Sequence, residues 1–323
     1  MLRPLQRRLL LAVSFSLLGI GLAMPARSAE DPTSKHLSFV FVSHGPDADT
    51  WWNTIKGALK VASSELNVSV TYRNPPNGDL ATMARIIDQA AASHPDGIIS
   101  TIADFDVLKA PIQHAVQLGI PVITVNSGTE EQSHELGALM HIGQPEYIAG
   151  LEAGKRAKAA GMHNFLCVNH FITNPVSVDR CKGFAEGLGV PLGNQMIDSG
   201  IDPVGVENKV TAYLRANPKT EAILTLGPNS AEPTIRALKN MHLAGKIFFG
   251  TFDLSSEIVD GIKDGTINFA IDQQPFLQGY LPVLFLTLYD RYGVIPANNV
   301  RSGPGFVTKD NVEVVSKLAG LYR

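Results

Sequence analysis

Short apolar runs and longer amphipathic stretches take turns along most of this chain. LSFVFVS (37–43), VSVTY (68–72), GIISTI (97–102) and IPVITVN (120–126) are brief and apolar. Between them, segments 50–66, 79–93 and 104–118 repeat apolar positions at helical spacing. Strands this apolar, each followed by a helix, predict a parallel sheet covered on both faces and joined by right-handed crossovers. The pattern then restarts. Helices are predicted near 144–160, 175–188, 204–216, 230–242 and 255–263, alternating with strands near 165–170, 195–199, 222–226, 246–252 and 267–271. Two βαβ series of similar size predict an α/β chain of two doubly wound parallel-sheet lobes. A long helix at 275–293 and a last strand at 305–308 do not extend the second series. If they complete each lobe in turn, the chain crosses between lobes several times; periodicity does not decide it.

The amino-terminal end has a different pattern. Basic MLRPLQRR precedes a 9–23 apolar run, and small residues follow in MPARSAE. A membrane span wants ~20 apolar residues, so this order is expected to be a secretory signal peptide, residues 1–29, cleaved near 26–29. The product is then expected in the periplasm. Removal takes away Arg3, Arg7, Arg8 and Arg27 and no acidic residue, moving the formal charge from −3 to −7. An acidic surface argues against nucleic acid or anionic membrane as a partner. The two cysteines, Cys167 and Cys181, are expected to bridge in an oxidising compartment, contributing roughly 3 kcal/mol by loop closure. The alternative is two buried thiols; a metal site lacks the spacing.

Ligands of open parallel sheets sit outside the carboxyl ends of strands. Reading those ends gives Ser43, Asp49 and Trp51 after the first strand, Asp104 after the third, and Asn126 with Ser127 after the fourth. The second series adds Arg180, Asn229, Asp253 and Gln273. Carboxylates accept, arginine donates in a fork, and amides do both, which suits a ligand whose hydroxyls donate and accept. An indole face covers the apolar C–H face of a sugar ring. Each residue also has an ordinary role open to it. Asp49 and Asp104 sit where helix caps occur, one of Trp51 and Trp52 belongs to the core, and Arg180 suits a surface ion pair. His44 and His170 read as loop histidines. No G-x-G-x-x-G, Walker, H-E-x-x-H or G-x-S-x-G pattern occurs, so no catalytic residue, cofactor or metal is expected.

The segments DTWWNTIKGA, PDGIIST, GIPVITVNSG, IGQPEYIAG, DRCKGFAEGL, AILTLGPNSAEP, GTFDLS and DQQPFLQGYLP follow one another in this order. In that order the chain resembles the type 1 periplasmic sugar-binding proteins of ABC importers, the ribose-binding-protein-like family. The resemblance implies lobes of 37–141 plus 275–303 and 142–273 plus 304–323, joined by a hinge of three crossings. It implies Trp51 against the sugar ring, with Asn126, Arg180, Asp253 and Gln273 at family contact positions and Asn229 in a segment carrying a ligand amide. Asn126 replaces an aspartate of ribose binders and Ser127 an arginine, which disfavours ribose itself. A monomer delivering a monosaccharide or polyol to an inner-membrane permease is implied; the alternative is a receptor for a sensor kinase or chemoreceptor, and a small-molecule enzyme ranks below both. On this reading, Arg180→Ala weakens binding and leaves folding intact.

Overall fold

A computed structural model describes residues 35–323; the segment read as a signal peptide lies outside them. The first sheet contains β1 (Ser38–Val42), β2 (Ser69–Arg73), β3 (Gly97–Ser100), β4 (Val122–Val125) and β5 (Met140–Gly143). The second contains β6 (Phe165–Asn169), β7 (Met196–Asp198), β8 (Ala222–Thr225), β9 (Phe248–Phe252) and β10 (Phe269–Asp272). The short β11 (Val300–Arg301) and β12 (Gly305–Val307) complete them. Strand orders are β11-β5-β4-β3-β1-β2 and β12-β10-β9-β8-β6-β7. Every pairing is parallel except that β12 runs antiparallel to β10.

Helices α1 (Trp52–Leu66), α2 (Leu80–Ala92), α3 (Phe105–Gln117) and α4 (Glu130–Glu135) follow the first-sheet strands. The second series carries α5 (Glu146–Ala159), α6 (Pro175–Leu188), α7 (Pro203–Ala216), α8 (Pro228–Asn240) and α9 (Ser256–Asp264). Alternation along each strand decides which helices it meets. Phe39, Ile99 and Ile123 face a core shared with Ile55 of α1, while Val40, Ile98 and Val122 face Met83 and Ile112 of α2 and α3. This two-faced burial is why the strands carry no polar alternation.

The structure places the elements that periodicity does not assign. Helix α10 (Pro275–Tyr292) leaves β10 of the second sheet and packs on α1, placing Val283 and Leu286 in the first-sheet core. Strand β11 then pairs with β5, and β12 returns to β10, before α11 (Val312–Ser316) closes the chain. The backbone therefore passes between sheets after β5, after β10 and after β11. Sequence periodicity ends the first series at 126 and misses α4 and β5. In β5 a histidine and a glycine, His141 and Gly143, interrupt a four-residue run. Helix α4 is six residues long and is held by the Thr129–Gln132 capping box.

Helices α5 and α6 touch backbone to backbone through Gly150, Gly154, Gly183 and Gly187. A Cβ added at any of these would lie 2.1–2.2 Å from a carbonyl oxygen of the facing helix. Cys167 of β6 and Cys181 of α6 form a buried disulfide, the pairing expected from sequence.

Candidate functional site

Loops at the carboxyl ends of both sheets border one cavity, a concave place of the kind small ligands occupy. The β1–α1 loop brings two indoles. Gly45 is required there, because an added Cβ would lie 1.9 Å from the Trp52 ring nitrogen. Trp51 and Trp52 both line the cavity, edge to face at 4.9 Å between ring centres. Trp52 also packs in the first-lobe core. The Trp51 Nε1 is buried and lies by the Asp253 carboxylate, whose charged form its N–H favours.

Side chains from the two lobes meet across the cavity. Asn229, at the start of α8, donates to Asp49 Oδ1 at 3.1 Å, and Asn174, which caps α6, donates to Ser127 Oγ at 3.2 Å. His44 from the first lobe stacks on Phe171 from the second, ring centres 5.8 Å apart. On the floor, Asn126 and Asp253 adopt left-handed backbone with φ of 61° and 63°, a conformation that asparagine and aspartate tolerate better than other side chains. Asn126 Nδ2 donates to Gln273 Oε1 at 3.2 Å, and Gln273 Nε2 donates to Asp253 Oδ1 at 2.8 Å.

Arg180 is the cation lining the cavity, and it is heavily committed. Its Nε and Nη2 donate to the two Glu146 oxygens at 2.6 and 2.7 Å, and Nη1 donates to the Leu226 carbonyl at 2.9 Å. Its guanidinium also lies 4.2 Å from the Phe252 ring centre. The α5–α6 contact places Glu146 and Arg180 face to face. Burial, reinforced by Arg180, pushes His44 down to about 3 and His170 down to about 4, so both are neutral. Burial raises Asp253 to about 7 against the pull of Arg180, and raises Asp49 as well. The lining thus offers many neutral donors and acceptors and no uncompensated positive charge.

These shifts predict acid sensitivity. A histidine whose pKa is lower folded than unfolded binds more protons when unfolded, so its contribution is lost as pH falls below 6.5. Asp253 acts in the opposite sense between 3.8 and about 7, and Asp49, also raised by burial, acts with it. His44, His170 and the buried His141, itself lowered to about 4 by burial, outnumber the two. Melting temperature is therefore expected to fall between pH 6.5 and 4 at constant ionic strength. A scan that stays flat or rises toward acid contradicts this balance.

Of the residues read from sequence, Asp49, Trp51, Asn126, Ser127, Arg180, Asn229, Asp253 and Gln273 line the cavity. Ser43 and Asp104 do not. Ser43 is fully buried and bonded to the Tyr72 hydroxyl at 2.5 Å. Asp104 caps α3, accepting from Val107 N at 3.0 Å. The cavity also takes His44, Trp52, His170, Phe171, Asn174 and Ser177, which sequence did not select. His44, Trp52 and His170 stand at strand ends but read as loop histidines and a core indole; for Asn174 the available signal was the Asn-Pro pair at 174–175, a helix start facing the strand ends. Among the described residues no cluster of histidine, cysteine and carboxylates is arranged to hold a metal.

Residues 39–289 match the family model described as a periplasmic binding protein domain. A carbohydrate transporter from Acidothermus cellulolyticus, solved in complex with myo-inositol, superposes with a TM-score of 0.81 at 33% identity, covering 88% of this chain and 99% of that one. A periplasmic sugar-binding protein from Legionella pneumophila superposes with a TM-score of 0.75 at 25% identity, covering 83% and 100%. The xylose/arabinose-binding protein of Sulfolobus acidocaldarius is 25% identical over 300 residues, 88% of this chain and 73% of that protein.

Proposed function

The chain belongs to the periplasmic binding protein family, and from that premise we propose that it is the solute-binding component of an ABC importer, closing on a neutral cyclic polyol or monosaccharide and delivering it to the permease. The observation that carries this reading is the pairing of Arg180 with Glu146. A cavity built for a phosphate or carboxylate keeps a cation free to meet it. Here the cation is spent on a neighbouring carboxylate, and amides, hydroxyls and indoles remain.

Asp253 and Asn126 accept hydroxyl hydrogens from the ligand. Asp49, Ser127, Asn229 and Gln273 complete the polar rim, and Arg180 contributes the N–H groups left over from Glu146. The indoles cover the ring. Lobes of 37–141 plus 275–303 and 142–273 plus 304–323 close about the three crossings, and contacts from both lobes favour the closed form. The protein acts as a periplasmic monomer and binds its ligand without converting it. The carbohydrates named for the relatives, myo-inositol, xylose and arabinose, set the first probes.

The test is a thermal-shift panel of myo-inositol, D-xylose, L-arabinose, D-ribose, D-galacturonate and glucose 6-phosphate. Ligand at 100 times its dissociation constant stabilises by about 2.7 kcal/mol. One or more neutral members are expected to raise the melting temperature and to be recovered unchanged; the two anions are expected to do nothing. A shift confined to the anions, or a chemically altered polyol, overturns the reading.

A further inference from the structure

Gln278 is fully buried in α10 and is not part of the cavity lining, yet it is bonded to residues that are. Its Oε1 accepts from Asn126 Nδ2 at 3.0 Å. Its Nε2 donates to the Gln273 carbonyl oxygens, Oε1 at 3.1 Å and backbone O at 3.2 Å, and to Ser302 Oγ at 2.9 Å. Asn126 follows β4 in the first sheet, Gln273 lies on the second crossing, and Ser302 lies on the third. One amide therefore joins a cavity residue to two of the three passages between lobes.

Hydrogen-bond polarity propagates through this cluster. Gln273 turns its N–H to Asp253 Oδ1 at 2.8 Å, an oxygen that accepts both in the ionised carboxylate and when the proton sits on Oδ2. That choice turns Gln273 Oε1 toward Asn126 and Gln278, where it receives an N–H from each. Asn126 has two amide hydrogens and spends both, one on Gln273 and one on Gln278. What it has left is Oδ1, which takes the Ser127 hydroxyl at 3.2 Å and keeps a second lone pair. Were Gln278 unable to accept, Asn126 would lose a partner for its amide hydrogen and be free to flip, offering a donor where an acceptor stood.

We infer that Gln278 is a positioning residue: it holds Asn126 with its Oδ1 acceptor toward the cavity and registers that amide against the third crossing through Ser302. This makes Gln278 a determinant of which hydroxyl pattern is bound, and the binding half of the inference rests on the sugar-binding reading above.

The ligand-free test is the ¹⁵N-edited spectrum of the side-chain amides in wild type, Gln278→Met and Ser302→Ala. The Asn126 amide hydrogens are expected to exchange slowly with solvent in wild type and quickly in Gln278→Met, with backbone amides of β4 unchanged. Ser302→Ala, which deletes one hydroxyl, is the milder change should Gln278→Met fail to fold, and it is expected to speed the same exchange less. The binding test is calorimetry with myo-inositol and D-xylose. Gln278→Met is expected to lose about tenfold in affinity, and to lose nothing further when added to Asn126→Ala, because residues acting through one contact are not additive. Unchanged Asn126 exchange in both variants, or additive losses in the double variant, overturns the inference. If neither sugar binds wild type, the choice of ligand fails, while the amide spectra still decide the role of Gln278.

Discussion

Glu146→Ala is expected to lose about 3–5 kcal/mol of folding stability, the usual consequence of stranding a buried charge. Glu146 and Arg180 are 6% and 7% exposed, and the carboxylate takes both the Nε and Nη2 of the guanidinium. Without it, Arg180 keeps one bond, to the Leu226 carbonyl. The reverse change strands the carboxylate, so Arg180→Ala also destabilises the fold. This corrects the sequence-based expectation that Arg180→Ala leaves folding intact, which treated the arginine as a ligand contact alone. The double variant Glu146→Leu with Arg180→Met is expected to be less damaged than either single change, because it strands nothing. Denaturant unfolding measures all three. A single-variant loss below about 1 kcal/mol, the range of an exposed pair, contradicts the buried bidentate pair.

The second large effect is Gly183→Ala, expected to cost about 3 kcal/mol or more, at the upper end of overpacking. Helix propensity alone predicts the opposite sign, since alanine is favoured over glycine by about 1 kcal/mol inside a helix. The contact decides against propensity: the new methyl would sit 2.1 Å from the Tyr147 carbonyl oxygen and 2.8 Å from the Leu151 nitrogen. Both are backbone atoms, so no rotamer change relieves them. Helices α5 and α6 must part, and Arg180 on α6 then moves away from Glu146 on α5. Loss of stability and loss of binding are therefore expected together. A Gly183→Ala protein as stable as wild type would show that α5 and α6 have slack the structure does not contain.

What could be read from the sequence, and what could not, divides along a physical line. Strands buried on both faces announce themselves as apolar runs, which is why β1, β3, β4, β8 and β9 were legible. Strand β5 was not, because its role at the passage between lobes places a histidine and a glycine in four residues. Asn126 and Asp253 were legible as polar residues abruptly ending apolar runs. The same rule also selected Ser43 and Asp104, whose polarity answers local demands: a bond to Tyr72 and a helix cap. Contacts made across long sequence separations left no trace. Glu146 finds Arg180 over 34 positions, and Gln278 finds Asn126 over 152. The four glycines of α5 and α6 carry a four-residue spacing visible in the sequence, but only a second helix gives that spacing meaning.

Both lobes are expected to contribute to one binding event for a neutral polyhydroxylated ring. Calorimetric titration of myo-inositol or D-xylose into wild type, Trp51→Ala and Asn229→Ala tests this most directly. One molecule bound per chain, with affinity weakened by the change in either lobe, is the predicted result. Affinity that depends on residues of one lobe alone, or heat that continues after saturation because the sugar is being consumed, would contradict it.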